Sequence, residues 1–409
     1  MRLAFVWLLM IGVALRSAVY AADWPCFGGP TRDFVSTETG INKNWTTRPP
    51  KELWRVAMSD DGFAGPAVVK GTLYILDHQD KNDVLRAIDT ATGKDAWTYA
   101  YPNPVGANYG WSNSTPAIDA GRVHILSCVG LAQCLDIATR KVIWQKDLIQ
   151  EFGGEIPQWR ISMSPVIDGD RVIYAPGGPD ATLVALNKAT GAVIWKGGGS
   201  FNSSYATPVI GEINKSKVYV FLAAKEVVCV QASDGKLMWR FPWKTSYDVN
   251  AAMPLVFNDT VFITSGYNHG CALLKPVVGG AEPQVLWQNK GILAHFSTPV
   301  LRQGVIYGAT DPAHLTALDA QSGKTLWKQS GFDKGGVVLI DGALIAMGKG
   351  AVALVALDST ACKELGRINV AAMGLKGELW TAAVVSDKKL YVRNRQTLVC
   401  FDLTPGAAQ

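Results

Sequence analysis

The chain has 409 residues, a formal charge of +5 and only 18% charged side chains. Its lysines and arginines are scattered without a run, so it lacks the electrostatic footprint of a nucleic-acid binder. With 14 tryptophans and 41 glycines, the composition suits many short strands joined by tight turns.

In chain order, residues 1–21 read as a secretory leader. Arg2 supplies the positive start, and Ala4 to Leu15 is an apolar stretch shorter than the ~20 residues that span a bilayer. Val19-Tyr20-Ala21 carries the small residues of a cleavage site, with cutting expected after Ala21 rather than Ala22. Arg16, directly behind the apolar stretch, argues against a retained anchor, and Cys26 lies too far on to be lipidated. A periplasmic or extracellular monomer that does not span the membrane is expected. Residues 22–50 form an N-terminal extension, 51–405 a repeating region and 406–409 a tail.

The repeating unit is clearest at Leu85-Arg86-Ala87-Ile88-Asp89 followed by Thr92-Gly93-Lys94 and Trp97. Aligned on Ala87, its relatives fall at Cys134, Ala185, Cys229, Leu273, Ala317, Ala356 and Cys400, spaced 39 to 51 residues apart. Eight units at this period predict a β-propeller. Runs such as Thr72-Leu73-Tyr74-Ile75-Leu76 read as strands. The Thr-Gly-Lys turn uses glycine for a positive φ. Trp97, Trp144, Trp195, Trp239, Trp287 and Trp327 each begin a further strand, where the indole packs between neighbouring sheets as a structural residue. A proline column (Pro66, Pro116, Pro165, Pro208, Pro254 and Pro299) suits the start of an innermost strand, because proline cannot donate to a ladder. Units seven and eight carry Gly336-Val337 and Ala383 instead. The eighth unit ends without a Trp strand, while an orphan one, Leu53-Trp54-Arg55-Val56, stands near the start. The expected fold is therefore all-β: eight four-stranded antiparallel blades closed by the N-terminal strand, with no exposed sheet edge.

Seven cysteines leave at least one unpaired in an oxidising compartment. Cys134, Cys229 and Cys400 stand in the Ala87 column and read as small buried apolar side chains. Cys26, Cys128, Cys271 and Cys362 have no evident mates. No Cys-x-x-Cys and no adjacent cysteine pair occurs.

The Ala-Leu-Asp…Thr-Gly-Lys…Trp unit resembles the PQQ-type propeller repeat of quinoprotein alcohol dehydrogenases and of BamB-like assembly proteins. It is also similar to secreted PQQ-binding-like propellers that open on Trp-Pro-x-Phe-x-Gly-Pro-x-Arg-Asp, matched here by Trp24 to Asp33. Arg240-Phe241-Pro242-Trp243, His295 to Pro299 and Tyr391-Val392-Arg393-Asn394 share the likeness. For a quinoprotein dehydrogenase, the resemblance implies PQQ with calcium, an adjacent cysteine pair and acidic ligands beside a catalytic Asp. The cysteine pair and matching carboxylates are not found, so no cofactor, metal or catalytic residue is assigned.

Residues just ahead of the proline column should meet at one mouth of the central channel. They are Phe63, Trp111, Asn113, Arg160, Ser162, Tyr205, Asn250, His295, Phe296 and Trp380. Arg160 suits an anion, His295 a proton-transfer or ligating role, and Trp111, Tyr205 and Trp380 a planar ring or sugar. His269, Asp60-Asp61 and the trio Asp77, Asp80 and Asp83 read as solvated loop residues. No Gly-x-Ser-x-Gly elbow, His-Glu-x-x-His or phosphate loop occurs. The expected function is a non-catalytic scaffold binding a protein, peptide or glycan. The alternatives are a PQQ-dependent dehydrogenase and an outer-membrane assembly factor.

Overall fold

A strand buried on both faces needs apolar residues throughout, whereas a half-exposed one alternates. Both kinds occur within each repeat. In the first blade, Thr72–Gln79 and Asn82–Asp89 are buried almost throughout, between the short inner strand Ala67–Val69 and the alternating outer strand Asp95–Pro102. The computed structural model describes residues 22–105, 109–279 and 282–406. The expected leader at 1–21 lies outside the described residues.

Eight such antiparallel sheets follow one another, giving the expected eight-bladed propeller. Six of the inner strands begin directly after a proline of the column, at Ala67, Ala117, Val166, Val209, Leu255 and Val300. The turn from inner to second strand has positive φ at both central residues in seven blades, as at Lys70-Gly71 (49° and 75°) and Asn258-Asp259 (48° and 56°). This handedness matches the twist of the flanking strands.

The repeat's Asp and Gly build the turn before the outer strand. Asp89 Oδ1 accepts from the backbone N–H groups of Ala91 and Thr92 and from the Thr92 hydroxyl, at 2.8 to 3.0 Å. The glycine has a second reason to lack a side chain. The previous blade's indole lies against it: a Cβ on Gly93, Gly191, Gly235 or Gly323 would sit 2.4 to 2.8 Å from Trp54, Trp144, Trp195 or Trp287 respectively. Each of these indoles also donates its N–H to a carbonyl of the next blade, Thr90, Lys188, Ala232 and Ala320, and Trp327 does so to Asp358. Trp54, Trp144, Trp195 and Trp239 are buried, whereas Trp97, Trp287 and Trp327 are half-buried. Where Arg140 replaces the glycine, its guanidinium lies 5.9 Å from the Trp97 ring centre.

The orphan strand Lys51–Ala57 pairs with Thr397–Asp402, setting Trp54 opposite Cys400 as Trp97 stands opposite Ala87. Behind this closure, Arg393 is fully buried and donates to Asp60 Oδ1 at 2.9 Å and to the carbonyls of Ala64 and Gly62 at 2.8 Å. Asp61 pairs with Arg395, Asp77 with Arg86 and Asp83 with His78. The expectation of solvated acids is thus wrong for Asp60, Asp77 and Asp83, which are buried in polar clusters between elements. His269 likewise packs edge-on against Trp243, ring centres 4.2 Å apart.

The seventh blade corrects the repeat alignment. Its register sets Leu354, not Ala356, at the Ala87 position, opposite Gly366. No Trp arises from that strand. The extension's Trp45, 1% exposed, packs on Gly366 instead, and Thr46 bonds the Leu365 carbonyl. All seven cysteines are free thiols, with Cys134, Cys229 and Cys400 completely buried.

Replacing Trp195 by Ala should lower stability by ~3–5 kcal/mol, as for other truncations of large aromatics in a packed core. Gly235→Ala should also destabilise, but less when Trp195 is already Ala, because the clash partner is gone and only the strain of a side chain at φ 74° remains. Additive losses in urea unfolding would contradict the paired packing.

Burial pushes the Asp60 carboxyl up to about 6, against the pull of Arg393. A carboxyl with a raised folded pKa binds its proton more tightly in the folded state. Its contribution is therefore full below about pH 4 and is lost as pH rises through 6. Asp60→Asn should flatten the dependence of the urea midpoint between pH 4 and 6. An unchanged slope would show that this group does not titrate there.

Candidate functional site

Eight inner strands run around one axis, and their starting ends gather at one face. The space they enclose is a cavity of about 300 Å³. Its far end is shut by the extension, which crosses beneath the ring near the inner turns. Trp24 exchanges backbone hydrogen bonds with Val68 at 2.7 and 2.8 Å, Pro25 accepts from Ile118 at 2.8 Å, and Phe34 accepts from Leu339 at 2.9 Å. The Arg32 guanidinium donates to the Ile167 carbonyl. Four blades are thereby bridged, and Val35–Ser36 adds a parallel strand to the seventh. Trp24, Phe27 and Phe34 form the floor. The axial space is a blind pocket.

The wall is aromatic. Phe63 stacks on Trp380 with centres 5.1 Å apart, Trp380 lies 4.8 Å from Phe296, Phe296 4.1 Å from His295, and His295 4.4 Å from Tyr267. Across the mouth, Trp159 lies 6.1 Å from Tyr205, and its backbone N–H donates to the Tyr205 hydroxyl. Tyr109 completes the rim.

One sector is charged. Lys334 belongs to the inner strand Phe332–Ile340, whose pairing is interrupted between Phe332 and Val337. Its Nζ lies 5.5 Å from the Phe296 ring centre and 5.8 Å from that of Trp380, within cation–π range. It also approaches His295 Nδ1 to 3.0 Å. Asp311 Oδ2 is 3.0 Å from the same nitrogen. Burial opposes ionisation of Asp311, but the hydrogen bond from His295 and the Lys334 charge together hold its carboxyl below the usual range. His295 Nε2 is buried without a partner.

Of the residues expected at the mouth, Phe63, Asn113, Ser162, Tyr205, His295, Phe296 and Trp380 line the pocket. Three do not. Trp111 stacks flat on His78 at 3.6 Å. Arg160 is half-buried off the wall, its backbone N–H bonded to the Pro157 carbonyl. Asn250 is fully buried and spent on the fold: it donates to the carbonyls of Ala223, Ala224 and Trp243 and accepts from Ser265. Its neighbours Val249 and Ala251 face the pocket instead. The sequence reading missed Lys334, Asp311, Tyr109, Trp159, Tyr267 and the aromatic floor.

A quinone with calcium fits these residues poorly. Among the described residues, no carboxylate lines the wall. Among the described residues, no group of three His, Cys, Asp or Glu side chains is placed to hold a metal ion.

Fold and site together define an eight-bladed propeller with a blind, aromatic, axial pocket. The chain belongs to the PQQ-repeat propeller family: the family model described as outer membrane protein assembly factor BamB matches residues 46–123 and 80–329. It is 26% identical over 255 residues to the BamB assembly factor of Yersinia pestis, covering 57% of this chain and 60% of that one. It is 25% identical over 245 residues to the quinoprotein alcohol dehydrogenase PedH of Pseudomonas putida, covering 56% of this chain and 38% of that one. The chain thus matches less than two thirds of either protein's length. Among solved structures, BamB from Moraxella catarrhalis superposes with a TM-score of 0.63 at 14% identity, over 86% of this chain and 99% of that one. A europium-containing methanol dehydrogenase does so with 0.66 at 14%, over 91% and 89%. These structural likenesses show the fold alone.

Proposed function

We propose that this chain is a non-catalytic binding propeller, placed in the periplasm or outside the cell. It presents the mouth of its axial pocket and the surrounding loops to a protein, peptide or glycan. The observation that carries this reading is the blind aromatic pocket. A cavity of about 300 Å³ holds a side chain, a sugar ring or a small ligand. Its walls offer ring faces for stacking and few polar groups for orientation. The similarity to proteins named as outer-membrane assembly factors supports a protein as partner. Among the described residues, no helix is long and apolar enough to cross a membrane.

The second reading is a PQQ-dependent dehydrogenase, favoured by the similarity to PedH. The lack of carboxylates among the described wall residues weighs against it.

Two titrations test the proposal. Benzyl alcohol, a neutral ring, should quench tryptophan fluorescence saturably. Trp380→Ala should abolish that quench while leaving the urea midpoint close to the parent's. PQQ with calcium should show no calorimetric binding tighter than roughly 1 mM, ~4 kcal/mol. Micromolar PQQ binding together with dye-linked oxidation of an alcohol or sugar would overturn the scaffold reading in favour of the dehydrogenase.

A further inference from the structure

The charged sector of the pocket is built around a conflict. His295 Nδ1 has two neighbours at the same distance, Asp311 Oδ2 and Lys334 Nζ, each at 3.0 Å. One nitrogen cannot serve both. Against Asp311 it must carry a proton and donate; against the Lys334 ammonium it must offer a lone pair. Lys334 lies 3.6 Å from Asp311 Oδ1, an ion pair but too long for a good hydrogen bond, and Oδ1 has no hydrogen-bond partner. On the other side of the ring, His295 Nε2 is buried and unpartnered. Its side chain is only 7% exposed, and the residue lines the pocket. Buried polar atoms without partners are costly and uncommon.

We infer that this sector is a receptor for a single carboxylate, and that the pocket takes a ligand in which one carboxylate stands beside one aromatic ring. A fused tricarboxylate such as PQQ would bring two further carboxylates that find no other cation among the described lining residues. This inference rests on the binding reading above and adds the ligand's chemistry. An anion in the pocket resolves the conflict. Protonated His295 donates Nδ1–H to Asp311 and Nε2–H to the anion. Lys334 turns from His295 to the same anion, keeping its place beside the Phe296 and Trp380 rings. Asp311 stays behind the imidazole and holds its orientation, as a carboxylate does for a functional histidine. Among the described residues, Lys334 and the protonated His295 are the charged groups lining the pocket and both are cationic, so a ligand carboxylate meets no like charge on the wall. The ring that accompanies it lies against Phe63, Phe296 and Trp380. No metal is required, because two hydrogen-bond donors supply the contacts.

The same chemistry can come from a free aromatic acid or from the end of a peptide with an aromatic last residue. The probes are 3-phenylpropionate, its neutral amide, and a short peptide ending in phenylalanine with a free or amidated terminus. Calorimetry and tryptophan quenching should show the acid binding at least tenfold tighter than the amide. Lys334→Met should erase that preference, Lys334→Arg should restore most of it, and His295→Gln should reduce it. If only the free acid binds, the ligand is a small molecule. If the free-ended peptide binds and its amidated form does not, the ligand is a chain terminus.

The inference fails if acid and amide bind equally, or if Lys334→Met, melting like the parent, keeps the preference. Equal binding would leave the aromatic pocket standing, as would saturable quenching by benzyl alcohol. Absence of binding by every carboxylate probe would overturn the inference whatever the neutral ring does.

Discussion

An indole and a side chain cannot occupy the same space, and the propeller depends on that exclusion. At four blade boundaries the Trp of one outer strand lies against a glycine in the next blade's turn, where even a Cβ would come within 2.8 Å. The same indoles send their N–H to carbonyls of the neighbouring blade. Packing, turn handedness and hydrogen bonding thus meet in one repeated contact. Blade follows blade because each supplies the ring and its successor supplies the gap. The closing boundary obeys the same rule, with Trp54 against Gly93.

Closing the ring has a functional consequence. Inner strands that begin after a proline bring their entry loops to a common mouth, and residues more than 300 positions apart become neighbours. Phe63 stacks on Trp380, and Thr381 donates to the Phe63 carbonyl at 2.9 Å. The extension then turns an open channel into a pocket. Trp24, Phe27 and Phe34 fill the lower opening, and their segment is fastened to inner strands of the first, second, third and seventh blades. The blind pocket is therefore a joint product of the ring and of residues outside the repeats.

Most of the fold was legible because the repeat is periodic. Ala87, the Asp-x-x-Thr-Gly turn and Trp97 recur, and the orphan Trp54 points to closure. The second role of the glycine was hidden, since its indole neighbour lies some 40 residues away on another blade. The seventh blade misled the alignment because Gly366 stands where a Trp belongs, and Trp45, which covers it, lies in the extension. The mouth was legible in part. Counting back from each proline found Phe63, Tyr205 and His295, and counting back from Ala383, which stands in the proline's place, found Trp380. It failed at Asn250, where alternation turns Val249 and Ala251 to the axis and Asn250 into the fold. Lys334 left no signal, because its blade lacks the proline and reaches the mouth through an irregular stretch of inner strand. Asp311 acts through His295 from a loop within the sixth blade, beyond the reach of any local pattern.

The central claim is that the extension seals the ring from beneath and so makes the axial space a pocket. Hydrogen exchange reads this directly at the amides of Trp24, Val68, Ile118 and Leu339. Val68, Ile118 and Leu339 donate to carbonyls of residues 24–34, and Trp24 donates back to Val68. If the seal is part of the folded protein, all four exchange as slowly as amides inside the second and third strands of the blades. Exchange at the rate of an unstructured chain, with the blades themselves protected, would contradict the account and leave an open channel in place of a pocket.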